Sequence, residues 1–399
     1  MKNIKLIMKI SVKVIVKALI NLIYRILTLL PLKSKKIVFV STRSSDKSEN
    51  LTPLIKEIKK REHNWIVVEM NMLLATNLTQ IYKQPSFTLK LLYQLATAHF
   101  VVLDDYCLPL YLIKKREGVE VIQIWHAAGA FKKFGNSIEN EFQSPLEYYN
   151  QSLIKVHTNY DKVIVSSTAA IAAFSEAFSI SESDILPLGA PKTDRLFDND
   201  FRDNSYKKFV KHYRVGAMDK KIILYAPTFR EKNHHREEFK LFFEDFDQFV
   251  KTLENKKALM IIQPHPYLKQ RAYVPEKYKE WIQINHGPMT TQELMVVSNA
   301  FITDFSSLMF DYSLLGKPMA FYMPDLADYN DTRGFYGNII NELPGPIIEE
   351  ETELLTWISL FESASSSAYI NDFTKQWFAD EDGLASKRII DYICMENNV

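Results

Sequence analysis

Apolar residues along this chain fall into two successive series of short runs separated by amphipathic stretches. The first series comprises residues 36–41 (KIVFVS), 65–70 (WIVVEM), 100–104 (FVVLD), 119–125 (VEVIQIW) and 162–166 (KVIVS), with a last short run at 184–188 leading into Gly189-Ala190-Pro191. Near-continuous Val/Ile runs of this length suit strands covered on both faces, as in a parallel sheet. Helical patterns at 54–61 and 87–98 separate them. Between 197 and 221 the chain turns polar and charged, which reads as a domain boundary. A second series follows at 221–226 (KIILYA), 258–263 (ALMIIQ), 281–285 (WIQIN), 300–303 (AFIT) and 318–322 (PMAFY), and residues 350–395 are again helical. The expected fold is α/β: two Rossmann-like domains, 36–204 and 205–399, facing a cleft, with ligands at the carboxyl ends of their strands.

Residues 1–35 follow a different rule. Lys5, Lys9, Lys13 and Lys17 recur every four residues and form one drifting stripe of a helix, while Ile4, Ile7, Val14, Ile15, Ala18 and Leu22 form the other face, interrupted by Ser11. A cleaved signal peptide is a poor fit, because lysines break the apolar region and no A-x-A site follows. A spanning helix fits poorly too, since Lys13, Lys17 and Arg25 would each cost about 2.5–3.5 kcal/mol at mid-bilayer. The pattern predicts an amphipathic helix lying on an anionic membrane surface. The competing reading is a helix docked on its own domain.

Composition narrows the classes. With 399 residues and 47% apolar content the chain can bury two cores, and wholesale disorder is excluded. Gly is scarce, at 11, and no glycine-rich phosphate loop is found. Cys107 and Cys394 stand far apart without metal-ligand spacing, and no Asp-x-Asp pair is seen, although Asp328 and Asp331 are near each other. No metal site or cofactor is therefore assigned. The net charge of +1 conceals an asymmetry: the first 45 residues hold ten basic side chains and no acidic one. Basic charge confined to an apolar leader argues against nucleic-acid binding.

Reactive side chains gather where the predicted strands end. His126 closes VEVIQIW and opens His126-Ala127-Ala128-Gly129-Ala130, followed by Lys132 and Lys133. His265 follows ALMIIQ, Thr228 and Arg230 follow KIILYA, and Asp304, Ser306 and Ser307 follow AFIT and open a helix. A strand-end histidine can take a proton from an attacking hydroxyl. Hydroxyls and orphan N–H groups at a helix start can hold phosphate, and the planar fork of arginine suits a pair of pyrophosphate oxygens. Each residue alone also fits a plain structural role, as a cap, a salt bridge or a solvated charge. His63, His99, His212, His234 and His235 show no such placement, and His157 and His286 carry no assignment.

The segments 125–135 (WHAAGAFKKFG), 224–230 (LYAPTFR), 263–266 (QPHP), 303–318 (TDFSSLMFDYSLLGKP), 332–336 (TRGFY) and 382–388 (DGLASKR) resemble the CDP-glycerol glycerophosphotransferases of wall teichoic acid synthesis, in the right order. The resemblance implies a two-domain fold like the B-type glycosyltransferases behind a membrane-associating segment. It implies transfer of glycerol phosphate from CDP-glycerol to a polyprenyl-linked acceptor, with release of CMP, at the cytoplasmic face of a bacterial membrane. By the same resemblance His126 and His265 are the catalytic histidines, and Thr228, Arg230, Asp304, Ser306 and Ser307 surround the donor phosphates. Lys132, Lys133 and Arg333 are candidates for phosphate or acceptor contacts. The turn Ala127-Ala128-Gly129-Ala130 looks like that of priming or ribitol-type relatives, which keeps CDP-ribitol open as the donor. A UDP-sugar glycosyltransferase of the same fold is the reading from another reaction class.

Overall fold

The computed structural model describes residues 2–43, 47–61, 64–72, 81, 83–138, 144–213, 219–228, 230–232, 235–237, 243, 245–265, 274–362, 367–380 and 382–396. The chain forms two compact units. Met1–Ala128, Lys133–Asp194 and Leu384–Val399 make the first; Gly129–Lys132 and Arg195–Gly383 make the second. No single boundary separates them, because the chain passes from one unit to the other at 128/129, 132/133, 194/195 and 383/384.

The first unit is built on a six-stranded sheet in the order β2-β1-β3-β4-β5-β6, parallel at every pairing. Its strands are β1 (Lys33–Ser41), β2 (Ile66–Asn71), β3 (Ala98–Leu103), β4 (Glu120–Gln123), β5 (Lys162–Ile164) and β6 (Ile185–Leu186), close to the apolar runs of the sequence. Alternation along β1 explains why its run is unbroken. Ile37 and Phe39 face one core with Leu54, Ile58 and Ile390, whereas Val38 and Val40 face another with Tyr24, Leu91 and Leu95. Both faces are covered, so both parities must be apolar.

Helix α1 (Lys2–Leu27) covers part of the second of these faces. Ile20 and Tyr24 are buried there, and Val16, Ile23 and Leu27 pack alongside. Lys13 Nζ and Lys17 Nζ donate to the carbonyls of Asn150 and Leu153, each at 2.7 Å. The face expected to be apolar lies on the other side: Ile4, Ile7, Val14, Ile15, Ala18 and Leu22 are all exposed. Among the described residues no helix is long and apolar enough to cross a membrane.

The first unit is closed by the last helix of the chain. Helix α14 (Ala385–Glu396) lays Ile389, Ile390 and Ile393 against α2 (Leu51–Lys60) and the β1 face. Its start is held by Asp194, whose carboxylate accepts from the N–H groups of Ala385 (3.0 Å) and Ser386 (2.8 Å). That carboxylate does the work of an N-cap from outside the helix.

The second unit repeats the plan, with strand order β11-β10-β7-β12-β13-β14, again parallel at every pairing. The strands are β7 (Lys221–Ala226), β10 (Ala258–Ile262), β11 (Ile282–Ile284), β12 (Ala300–Thr303), β13 (Met319–Tyr322) and β14 (Ile347–Ile348). Two features escape the apolar pattern. The strand β14 is two residues long, too short to leave a run, and a hairpin of β8 (Arg230–Lys232) with β9 (His235–Glu237) follows β7, with Arg230 opposite Glu237. Arg230 therefore begins a strand instead of closing the preceding turn. The polar stretch after 197 is mostly helix α7 (Asn199–Tyr213), which buries only Ser205, Phe209 and Tyr213; a single narrow seam leaves a weak apolar signature.

Because α14 belongs to the first unit, Ile390→Ala should destabilise that unit by about 2–5 kcal/mol. Amide exchange should quicken across residues 33–41 and 51–60 and stay unchanged across 221–226 and 258–262. Equal acceleration in both groups would separate α14 from the first unit.

Candidate functional site

In a doubly wound sheet the ligand crevice opens where the strand order reverses, outside the carboxyl ends. That point lies between β1 and β3 in the first unit and between β7 and β12 in the second.

In the first unit, β3 ends at Leu103 and is followed by Asp104 and Asp105, and β4 ends at Gln123, with Trp125 and His126 shortly after it. Gln123 is fully buried and holds both strand ends: its Oε1 accepts from Trp125 N–H at 2.8 Å, and its Nε2 donates to the Asp105 carbonyl at 3.1 Å. Trp125 adopts a left-handed conformation, φ 52°, rare for a bulky residue and a local strain the packing must sustain. The result sets His126 Nδ1 3.6 Å from Asp105 Oδ2, with Arg43 Nη1 3.5 Å from the same oxygen. Burial, and then the positive charges of Arg43 and Lys192, hold the imidazole well below its usual range, so it is neutral at pH 7. Burial likewise raises the Asp105 carboxyl, against the pull of Arg43. Asp104 Oδ2 accepts from Ser41 and Ser48, and burial pushes this carboxyl up to about 6. A neutral imidazole beside a carboxylate can accept a proton and have the resulting cation compensated.

The neighbourhood of Trp125 is aromatic. His126 stacks on it at 4.3 Å between centroids, Phe134 at 5.3 Å, and Phe178 and His157 meet it edge-on at 5.2 and 5.8 Å. His157, unassigned by sequence, is buried here, and desolvation lowers its pKa to about 3.

In the second unit the switch point is zipped by polar contacts. Thr303 Oγ1 donates to the Ala226 carbonyl at 2.7 Å, and Asp304 accepts from Thr228 N–H with both oxygens, at 2.9 and 3.1 Å. Ser306 Oγ accepts from Leu308 N–H at 3.2 Å at the start of α10 (Leu308–Ser313), where Ser307 is the N-cap by position. Asp304 thus supports the turn that presents Thr228, and Ser306 also caps its own helix. His265 follows β10, the strand beside β7, and is half-buried.

Residues 129–132 belong to this second unit and bring three motifs together. Lys132 pairs with Phe335 in an isolated antiparallel bridge, and Tyr336 N–H donates to the Phe131 carbonyl at 3.1 Å. Lys132 Nζ donates to Tyr329 Oη at 3.0 Å, and the Tyr329 ring stacks on Phe305 at 3.7 Å, between Asp304 and Ser306 in sequence. Gly129 is required by contact: a Cβ there would stand 2.4 Å from the buried Phe310 ring. Lys133 returns to the first unit. The side chains of Arg230 and Arg333, like all of His63 and His234, lie outside the described residues.

Sequence reasoning missed Asp105, Gln123, Arg43 and Lys192. The available signals were the acidic pair closing FVVLDD and a lone glutamine inside the apolar run VEVIQIW. Among the described residues no group of three or more His, Cys, Asp or Glu side chains is arranged to hold a metal ion.

Comparison with known proteins matches residues 22–395 to the family described as CDP-Glycerol:Poly(glycerophosphate) glycerophosphotransferase. The chain is 35% identical over 383 residues to the teichoic acid ribitol-phosphate primase of Bacillus spizizenii, covering 95% of this chain and 96% of that one. It is 30% identical over 319 residues to the teichoic acid glycerol-phosphate primase of the same organism, covering 79% of each. Among solved structures, that of the wall teichoic acid polymerase TagF superposes with a TM-score of 0.74 at 25% identity, covering 99% of this chain and 98% of that chain.

The depressed pKa of His157 has a consequence for stability. The folded protein keeps this ring uncharged down to about pH 3, whereas the unfolded chain protonates it near 6.5, so its contribution is complete above 6.5 and is lost as pH falls below that value. Between pH 6.5 and 5 the loss amounts to about 2 kcal/mol. His126 acts in the same direction and Asp104 in the opposite one, so the measurement is a difference: urea unfolding of the wild type should lose about 2 kcal/mol more than that of His157→Gln over this range. Parallel pH profiles would mean that His157 carries its charge in the fold.

Proposed function

The chain belongs to the CDP-glycerol:poly(glycerophosphate) glycerophosphotransferase family, and from that premise we propose that it transfers ribitol phosphate from CDP-ribitol to a polyprenyl-linked acceptor. Membership makes it a phosphotransferase of teichoic acid synthesis that uses a CDP-activated alcohol. Ribitol is favoured by the match to a ribitol-phosphate primase along nearly the full length of both chains. The second reading, CDP-glycerol, has the shorter match to a glycerol-phosphate primase and the sequence motifs in its support.

The observation that carries the mechanism is the half-buried, neutral His126 beside Asp105. An alcohol is a poor nucleophile until its proton leaves, whereas CMP departs readily, so the demand for catalysis falls on the nucleophile. His126 takes the proton of the acceptor hydroxyl as its oxygen bonds to the phosphorus bearing the polyol. The bond from that phosphorus to the CMP oxygen breaks, and the Asp105 carboxylate offsets the imidazolium. His265, Thr228, Arg230, Ser306 and Ser307 bind the donor phosphates, with Asp304 shaping their turn. Lys132 adds a positive charge within the second unit; Lys133 and Arg333 are assigned to phosphate or acceptor contacts.

The protein works at the cytoplasmic surface of a bacterial membrane, held there by α1. Met8, Val12, Ile15, Leu19, Leu22, Ile26 and Leu29 follow one another at three- and four-residue steps and are all exposed. This ridge enters the headgroup region, while Lys5 and Lys9, also exposed, meet anionic lipids. Lys13 and Lys17 are engaged with carbonyls of their own unit, so the apolar ridge carries most of the affinity.

Mass analysis of the product formed with a synthetic polyprenyl-linked acceptor decides the donor: CDP-ribitol should be consumed, with CDP-glycerol slower by at least tenfold. Faster use of CDP-glycerol establishes the second reading, and use of a UDP-sugar overturns both. His126→Ala should lower kcat by at least about 10²-fold with the donor KM unchanged. Since the base is already neutral well below its usual pKa, the acid limb of kcat/KM should lie below pH 6.5, and an acid limb at or above 6.5 excludes His126 as the base. Ile15→Glu/Leu22→Glu should abolish sedimentation with anionic vesicles and leave the melting temperature unchanged; undiminished sedimentation would remove α1 from the membrane contact.

A further inference from the structure

A cavity of about 770 Å³ lies in the first unit and is not used by any step described above. Its wall includes Asn136, Tyr148, Gln151, Lys155, His157 and Asn159, with no carboxylate among the described residues that line it. Three observations give it a purpose.

The first is a buried polar atom without a partner. His157 is 4% exposed; its Nδ1 lies 3.2 Å from Tyr160 Oη, while its Nε2 has no hydrogen-bond partner among the described residues. That nitrogen faces Gly135 on the cavity wall, where an added Cβ would stand 3.2 Å from it. A buried ring nitrogen left unpaired is costly, and because it is closed off from solvent beside Gly135, a ligand hydroxyl reaches it once that wall gives way and then pairs with either tautomer, since a hydroxyl both donates and accepts.

The second is continuity with His126. His157 and His126 pack on the same Trp125 ring, at 5.8 and 4.3 Å. Trp125, His157 and Asn159 are three of the five described non-glycine residues at positive φ, so backbone strain concentrates between the cavity and the proposed base.

The third is the floor of the cavity. Tyr148, Gln151 and Ser152 belong to α5 (Pro145–Ser152), the helix whose Asn150 carbonyl accepts from Lys13 of α1, while the carbonyl of Leu153, just past its end, accepts from Lys17. The cavity is thus tied to the helix that carries the exposed apolar ridge.

From these the geometry points to a saccharide-binding subsite: the cavity takes the sugar portion of a membrane-borne acceptor and leads its terminal hydroxyl toward His126. Amides and hydroxyls on the wall suit sugar hydroxyls, the exposed Tyr148 ring suits the apolar face of a pyranose, and Lys155 is a cation for an adjoining phosphate. This assignment rests on the acceptor being lipid-linked, as proposed above.

The test uses the full chain and a synthetic prenyl-diphosphate disaccharide bearing glycerol phosphate. Tyr148→Ala/Gln151→Ala and, separately, Lys155→Ala should raise the acceptor KM about tenfold while the donor KM stays at the wild-type value. Calorimetric titration of the same acceptor in the absence of donor should show the same tenfold weakening. An acceptor KM within twofold of wild type, a rise in donor KM instead, or no binding of the acceptor to the wild type overturns the subsite. A wild type that binds the acceptor through these residues yet releases no CMP from either CDP-polyol sinks the transferase reading and leaves the subsite standing.

Discussion

Each unit of this protein depends on a parallel sheet that is covered on both faces. In β1, Ile37 and Phe39 are buried on one side and Val38 and Val40 on the other, and β7 from Ile222 onward and the whole of β10 are likewise apolar and buried. Such a sheet has no face left for polar chemistry. Polar side chains are confined to the strand ends, and the reversal of strand order decides which ends open into a crevice. Asp104, Asp105 and His126 in the first unit, and Thr228, Asp304 and Ser306 in the second, stand where that constraint puts them.

Desolvation then sets what those groups can do. His126 and His157 are both held uncharged by desolvation, and among the described residues each has a ring nitrogen without a hydrogen bond, that of His126 standing 3.6 Å from the Asp105 carboxylate. Keeping them neutral costs stability in acid, and the strained backbone at Trp125 adds to that cost. Gln123 offsets part of it by holding the ends of β3 and β4 in register. In the second unit the comparable support is aromatic: Phe305, Tyr329 and Phe335 assemble three separated motifs around Lys132.

Helix α1 shows how one amphipathic pattern can hold two seams. Ile20, Tyr24 and their neighbours bury one seam in the first unit, and the ridge from Met8 to Leu29 is left outside. Docking on its own unit and offering a surface to lipid are therefore not competing readings. Two of the four periodic lysines lie against the protein, which a helical projection of the sequence does not reveal because it contains no partner.

Much of this was legible in the residues alone. Near-continuous Val/Ile runs marked the long strands of both sheets, because burial on both faces writes itself into every position of a strand. The motifs around His126, His265 and Ser306 marked strand ends and the family, because local turn chemistry and order along the chain are one-dimensional properties. The short strand β14 and the hairpin begun by Arg230 left too few residues for a period to register. Asp105 beside His126, the role of Gln123, the burial of His157 and the place of the last helix in the first unit were decided only by tertiary structure. Each is a contact between residues distant in sequence, and burial, which fixes their charge and their energy, exists only once the chain has closed around them.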